Sequence, residues 1–148
     1  MISIILVLIV FIIDRYSKVY ISKNLEKLNK YKVNKHIQFV YTENHGMAFN
    51  LFKKYNIINL LILISFIIII YLAYYLIKYY SYLSLIEKIS YSLILGGGIG
   101  NLFDRIYSKY VIDFISIKLY KYYLPIMNFA DIFIFGGCIF LIIYNFFI

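Results

Sequence analysis

One cysteine, one proline and no tryptophan occur among the 148 residues of this chain. A single cysteine excludes an internal disulfide framework. Cys138 lies inside an apolar run and reads as a small buried hydrophobe, not a reactive thiol. Histidine is nearly as scarce. His36 and His45 stand apart, with no Cys or carboxylate at ligand spacing, so neither a metal nor any other cofactor is expected. Acidic residues number 7 against 15 Lys and Arg, a formal net charge of +8. No basic stripe with interleaved stacking aromatics accompanies that charge, which argues against nucleic acid as a partner. The excess reads as headgroup attraction and membrane topology. The first thirteen residues lack a basic leader, and no small-residue cleavage site follows them, so a retained helix is expected and not a signal peptide.

Apolar residues make up 64% of the chain, with 18 Tyr and 13 Phe supplying the aromatic load, and mean hydropathy is +0.82. Soluble domains sit nearer about 45–50% apolar. The composition therefore places the chain among integral membrane proteins, as one domain over residues 1–148. Four spans are expected, at about 2–21, 56–77, 83–104 and 128–148. The second is the plainest, since no charge occurs between Lys54 and Lys78. The third contains Glu87, Lys88 and the run Gly96-Gly97-Gly98-Ile99-Gly100. Between the first two spans lies a polar segment, Ser22 to Tyr55, in which His36–Tyr41 alternates as a strand would. The expected fold is thus an all-α membrane protein of four transmembrane helices, with a small β-containing extramembrane subdomain between helices 1 and 2.

Antiparallel spans bring the end of the first, the start of the second, the end of the third and the start of the fourth to one membrane face. Asp14, Asn44, Asn101, Asp104, Asp113, Asn128 and Asp131 then converge. Carboxylates near lipid cost about 2.5–3.5 kcal/mol each on insertion scales and are functional hypotheses by default. Asp131 opens an uncharged run to Ile148, and Asp113 lies between apolar neighbours in the segment expected to link spans three and four. Positive-inside counting points the polar face to the cytoplasm, with 9 Lys and Arg between Arg15 and Lys54 against 2 at Lys78 and Lys88. That excess comes largely from the first polar segment, which a folded subdomain would also explain.

Each motif has a plain structural alternative. Asp14 and Lys18 are four apart on one helix face, as an ion pair or a snorkelling pair would be. Asn44-His45-Gly46 suits a connecting turn. The glycine run is not followed by Gly-Lys-Ser/Thr, which excludes a nucleotide loop; in a membrane it allows close helix packing. Gly97, Asn101 and Asp104 share a face. Asn128 and Asp131 are three apart, which fits helix capping as well as a site.

Together, Asn44-x-Gly46-x-Ala48-Phe49, Gly-x-Gly-Asn101-x-x-Asp104-Arg105, Val111-x-Asp113-Phe114 and Asn128-x-Ala130-Asp131 resemble the prolipoprotein signal peptidase (signal peptidase II) family of intramembrane aspartyl proteases, over essentially the whole chain. The resemblance implies a catalytic pair at Asp113 and Asp131. It implies a substrate site lined or shaped by Asp14, Asn44, Gly46, Asn101, Arg105 and Asn128; Lys18, Asp104 and Ala130, beside them on the same elements, are further site-shaping candidates. It further implies a bacterial inner-membrane enzyme with cytoplasmic termini and an active site near the outer face. Its partners would be lipid-modified prolipoproteins and membrane lipids, and it would act as a monomer. Four positions depart from the family pattern: Arg15 where Gln is usual, His45-Gly46-Met47, Met127 in place of Phe, and Ile132 in place of a small polar residue.

Overall fold

The computed structural model describes residues 2–25, 30–46 and 57–147. Four helices occur among them: α1 (Ile2–Leu25), α2 (Ile58–Lys78), α3 (Leu85–Tyr107) and α4 (Phe129–Phe147). Two of these, α2 and α4, are long and apolar enough to cross a membrane. The 21 residues of α2 rise about 31 Å, the thickness of a hydrocarbon core. Most of their exposed side chains are apolar, as suits lipid and not water, while Ile69, Leu72, Ala73 and Leu76 form the packed face. Helix α1 is apolar up to Ile13 and then carries Asp14, Arg15, Lys18 and Lys23. Helix α3 starts where Ser84 and Glu87 form a reciprocal capping box, which satisfies its first free N–H groups.

Helix α3 packs between α1, α2 and α4, and its glycines permit this. A Cβ built on Gly97 would stand 2.5 Å from the Ala130 carbonyl oxygen of α4. Reciprocally, a Cβ on Gly137 of α4 would stand 2.7 Å from the Ser90 carbonyl oxygen of α3. Small residues at such crossings let backbones meet without side chains between them.

A four-stranded antiparallel sheet in the order β1-β2-β3-β4 rests at one end of the helices. Strands β1 (Lys30–Lys32) and β2 (Ile37–Asn44) follow α1; β3 (Val111–Leu119) and β4 (Tyr122–Tyr123) follow α3. The expected subdomain between helices 1 and 2 is therefore half of a sheet, completed by the segment between α3 and α4. Where the sequence suggests only a link, Val111–Leu119 is the longest strand. Its β-branched content, V-I-D-F-I-S-I-K-L, favours a pleated, half-buried surface over a loop. The boundaries shift too: α1 runs to Leu25, four residues past the expected end, and α3 begins at Leu85.

The β2–β3 register pairs Phe39 with Ile115 and Thr42 with Asp113, so β2 holds one residue more than β3 across this stretch. The resulting bulge swings the end of β2, with Asn44, toward Asp113. Under the sheet, Phe114 packs between Phe39 and Phe129, with Ile21 of α1 in the same cluster. Met127 ties the lead-in to α4 onto β3, because its carbonyl oxygen accepts from Phe114 and Ile115 N–H and its own N–H donates to Ile115.

Candidate active site

Lys18 is the best starting point, because its side chain is 0% exposed and can only donate. Its ammonium donates to Asp14 Oδ2 at 2.7 Å and Asn101 Oδ1 at 2.9 Å, and forms an ion pair without a hydrogen bond with Asp104 Oδ2 at 2.8 Å. Arg15 Nη1 pairs with Asp104 Oδ1 while its guanidinium lies 4.8 Å from the Phe103 ring centre. Two cations thus balance two carboxylates, and a net charge of zero is what makes so much buried polarity tolerable. Asp14 Oδ1 accepts the Ala130 N–H of α4 at 3.0 Å. Gly100 of α3 lies against the Asp14 carboxylate, where any Cβ would collide with it. So α1, α3 and α4 are locked together at one level.

The orientation of the next groups follows from that knot. Since Asn101 Oδ1 accepts the Lys18 hydrogen bond, its amide nitrogen must face away, and it donates to Asp131 Oδ1 at 2.8 Å. Asn128 is fixed from the other side. It is the residue preceding α4, its Oδ1 accepts the Asp131 N–H at 2.9 Å, and its own N–H donates to Asp131 Oδ2 at 3.2 Å. This is a capping box built on aspartate. The Asn128 amide nitrogen is then left to donate to Asp113 Oδ1 at 2.7 Å and to Asn101 Oδ1 at 3.3 Å. Asn44 completes the set. Its Oδ1 accepts the Gly46 N–H at 3.1 Å, so its Nδ2 donates to Asp113 Oδ2 at 2.9 Å. Every amide has one self-consistent orientation, set by the obligate donors Lys18, Asp131 N–H and Gly46 N–H.

Asp113 and Asp131 are therefore both held by Asn128, one through the side chain and one through the backbone. Asp113 is only 4% exposed. Burial pushes its carboxyl up to about 6, and the charge of Asp131 adds to this, while the Asn44 and Asn128 bonds and Lys18 pull the other way. A carboxyl that changes charge near neutrality, beside a second carboxyl, suits general acid–base work.

The residues expected in the site fall into two layers. Asn44 bonds Asp113, Asn101 bonds Asp131, and Asn128 bonds both aspartates and Asn101. Asp14, Lys18, Asp104 and Ala130 form the knot behind them. Gly46 anchors Asn44. Arg105, in the last turn of α3, donates to the Asn101 carbonyl oxygen at a long 3.5 Å, and its charge acts on Asp131 and Asp113. Ala48 and Phe49 lie outside the described residues. At the rim, Glu43 accepts from Tyr41 Oη at 2.9 Å and lies 3.3 Å from His45, whose ring packs at a tilt of 58° against Tyr110. Arg15 and Gly100 are the structural members that the sequence reading left unassigned. Gly100 sits one residue before Asn101 and four before Asp104, a spacing that could have flagged it.

The comparisons with known proteins agree with one another. Residues 6–147 match the family described as signal peptidase (SPase) II. The chain is 40% identical over 141 residues to the lipoprotein signal peptidase of Wigglesworthia glossinidia brevipalpis, covering 95% of this chain and 90% of that one. It is 39% identical over 145 residues to the lipoprotein signal peptidase of Clostridium novyi (strain NT), covering 96% and 95%. Its fold is similar to that of a bacterial membrane enzyme solved by the in meso method at 1.9 Å, with a TM-score of 0.85 and 29% identity over 98% of this chain and 92% of the other.

Proposed function

Given that the chain belongs to the signal peptidase II family, membrane-associated proteases of prolipoprotein processing, we propose that it is an aspartic endopeptidase whose catalytic pair is Asp113 and Asp131. The observation that carries this reading is their common attachment to Asn128. Two adjacent carboxyls cannot both ionise cheaply, so the pair holds one proton at neutral pH. Asp113 is the more deeply buried of the two, and its carboxyl is raised to about 6; the proton belongs to the pair.

In the proposed reaction the ionised carboxylate takes a proton from water, and the resulting hydroxide adds to the scissile carbonyl carbon. The protonated carboxyl gives its proton to the carbonyl oxygen. In the second half a hydroxyl of the tetrahedral diol returns its proton to the ionised carboxylate as the carbonyl reforms, the C–N bond breaks, and the protonated carboxyl gives its proton to the departing amine. One water is consumed and no acyl-enzyme forms. Asn44, Asn101 and Asn128 aim the carboxylates, and the Lys18 knot holds the asparagines. No step uses a metal or cofactor.

The substrate in this reading is a prolipoprotein whose cysteine carries diacylglycerol, cut just before that cysteine. An acyl-anchored cut site stays at bilayer depth, so the protease must be embedded to reach it. We place all four helices across the bacterial inner membrane, as one peptidase domain acting as a monomer. The sheet and the aspartates lie near the outer face and the termini in the cytoplasm. Helices α1 and α3 cross because their charges are mutually neutralised or lie at their ends.

The test uses purified protein and a diacylglyceryl-modified precursor. Asp113→Asn and Asp131→Asn should each abolish release of the signal peptide while membrane insertion stays intact. Full turnover in either variant would refute the pair.

A further inference from the structure

The end of the sheet away from Asp113 holds a cation-rich cavity of about 110 Å³, with Lys32, Lys35, His36, Lys118, Asn34 and Tyr123 in its walls. No carboxylate lines it. Among the described residues none of the three lysines has a carboxylate within ion-pair distance. The cavity opens at the surface, with Lys32, Asn34, Lys35 and His36 exposed, and backbone bonds shape it. Asn34 Oδ1 accepts the N–H groups of His36 and Ile37, each at 2.8 Å, which leaves its amide nitrogen free to donate. The His36 ring Nδ1 lies 3.2 Å from the Lys118 carbonyl oxygen, and Lys118 N–H returns a bond to His36 O at 2.7 Å. That carbonyl can only accept, so Nδ1 carries the hydrogen and Nε2 stays available. Three lysines lining one cavity without a carboxylate repel one another until an anion joins them.

Beside the cavity, the β3–β4 hairpin exposes Leu119, Tyr120, Tyr122 and Leu124, with Tyr120 at 96%. Lysines lie over its aromatic rings, Lys118 at 5.4 Å from the Tyr123 centre and Lys121 at 5.3 Å from that of Tyr122. Tyrosine and leucine next to lysine is the composition of a surface that rests among lipid headgroups. A site for a free anion would not need it.

We propose that this cavity binds the phosphate of an anionic phospholipid headgroup, with the Leu119–Leu124 hairpin seated in the interface beside it. The site is separate from the aspartate pair, since Lys118 follows Asp113 by five positions, about 17 Å along the strand. Its ligand would nonetheless act on the same ladder. It grips His36 and Lys118 at one end of the β2–β3 pair, whose other end aligns Thr42 with Asp113. The proposal does not depend on the catalytic reading.

The experiment titrates the full chain, held in phosphatidylcholine–detergent micelles, with dioleoylphosphatidylglycerol, and in parallel with inorganic phosphate at fixed ionic strength. Thermal unfolding reports binding. Phosphatidylglycerol should raise the midpoint saturably, and inorganic phosphate should not. Lys35→Gln/Lys118→Gln should weaken the apparent affinity about 25-fold, roughly fivefold per lysine. The control Lys23→Gln/Lys30→Gln should stay within about twofold, being outside the cavity. Should the cavity pair unfold in phosphatidylcholine alone, the exposed single change Lys32→Gln carries the test, with about a fivefold loss expected. No effect of phosphatidylglycerol, an equal effect of inorganic phosphate, an unchanged affinity in the cavity variants or an equal loss in the control would each overturn the proposal.

Discussion

Replacing Asp113 with Asn should change how stability depends on pH, by an amount that the structure sets. Burial raises the Asp113 carboxyl from 3.8 to about 6. A carboxyl whose value is higher folded than unfolded stabilises the fold while protonated, and that contribution is lost as pH rises through the folded value. This contribution should be fully present below about pH 4, fall between about 4 and 6, and be gone above. A shift of about 2 units corresponds to about 3 kcal/mol. The amide of the Asp113→Asn variant cannot ionise. Its hydrogen bonds to Asn44 and Asn128 will differ from those of the carboxylate, but that offset is the same at every pH. The difference between wild type and variant should thus move by about 3 kcal/mol from pH 4 to pH 8, in favour of the variant as pH rises. At about 2–4 °C per kcal/mol for a chain of this size, the relative midpoint moves about 6–12 °C. Parallel thermal scans in detergent at five pH values measure it. Curves that stay parallel, or a wild type that gains on the variant with rising pH, would refute the placement of Asp113 in a desolvating site. Since the two aspartates titrate as a pair, the whole change belongs to the pair.

Lys18→Met leaves Asp14 and Asp104 buried without their shared cation, and equilibrium unfolding should show a loss of about 3–5 kcal/mol. Gly97→Ala drives a methyl into the Ala130 carbonyl oxygen, so α3 and α4 must part; about 1–3 kcal/mol of stability and most turnover should go, as read by melting and precursor cleavage. Gly136→Ala is its contrast, because nothing lies within 4 Å of the added methyl; the same assays should show unchanged turnover and a gain of about 0.5–1 kcal/mol. Ser84→Ala removes the α3 capping box and should cost about 1 kcal/mol by thermal melting without altering cleavage.

The helices and the gathering of polar groups were legible because both follow from chain-local facts. Apolar length finds α2 and α4, and alternating chain direction brings Asn44, Asn101, Asn128 and the aspartates to one end. The spacing of Gly97, Asn101 and Asp104 correctly put them on one face of α3. Strand β3 was hidden for two reasons. Asp113 interrupts an otherwise readable β-branched run, and its pairing partner β2 is a distant segment. The division between the direct contacts of the pair and the Lys18 knot was equally out of reach, because it depends on which oxygen of Asn101 or Asn128 faces which donor. Arg15 looked like a mere departure from a family pattern until Asp104 was found beside it.

The sheet that carries Asp113 joins strands from the two halves of the chain, and this has a consequence in time. Asn44 and Asp113 are 69 residues apart, and Asp14 waits 116 residues for the Ala130 N–H. Until α4 has been synthesised and docked, neither Asp131 nor Asn128 is present to complete the pair. Contacts of such long range form late, since loop closure precedes any reward. On the proposed reading, a chain whose α4 has not yet docked lacks the aspartate pair and should not cut precursors that pass beside it.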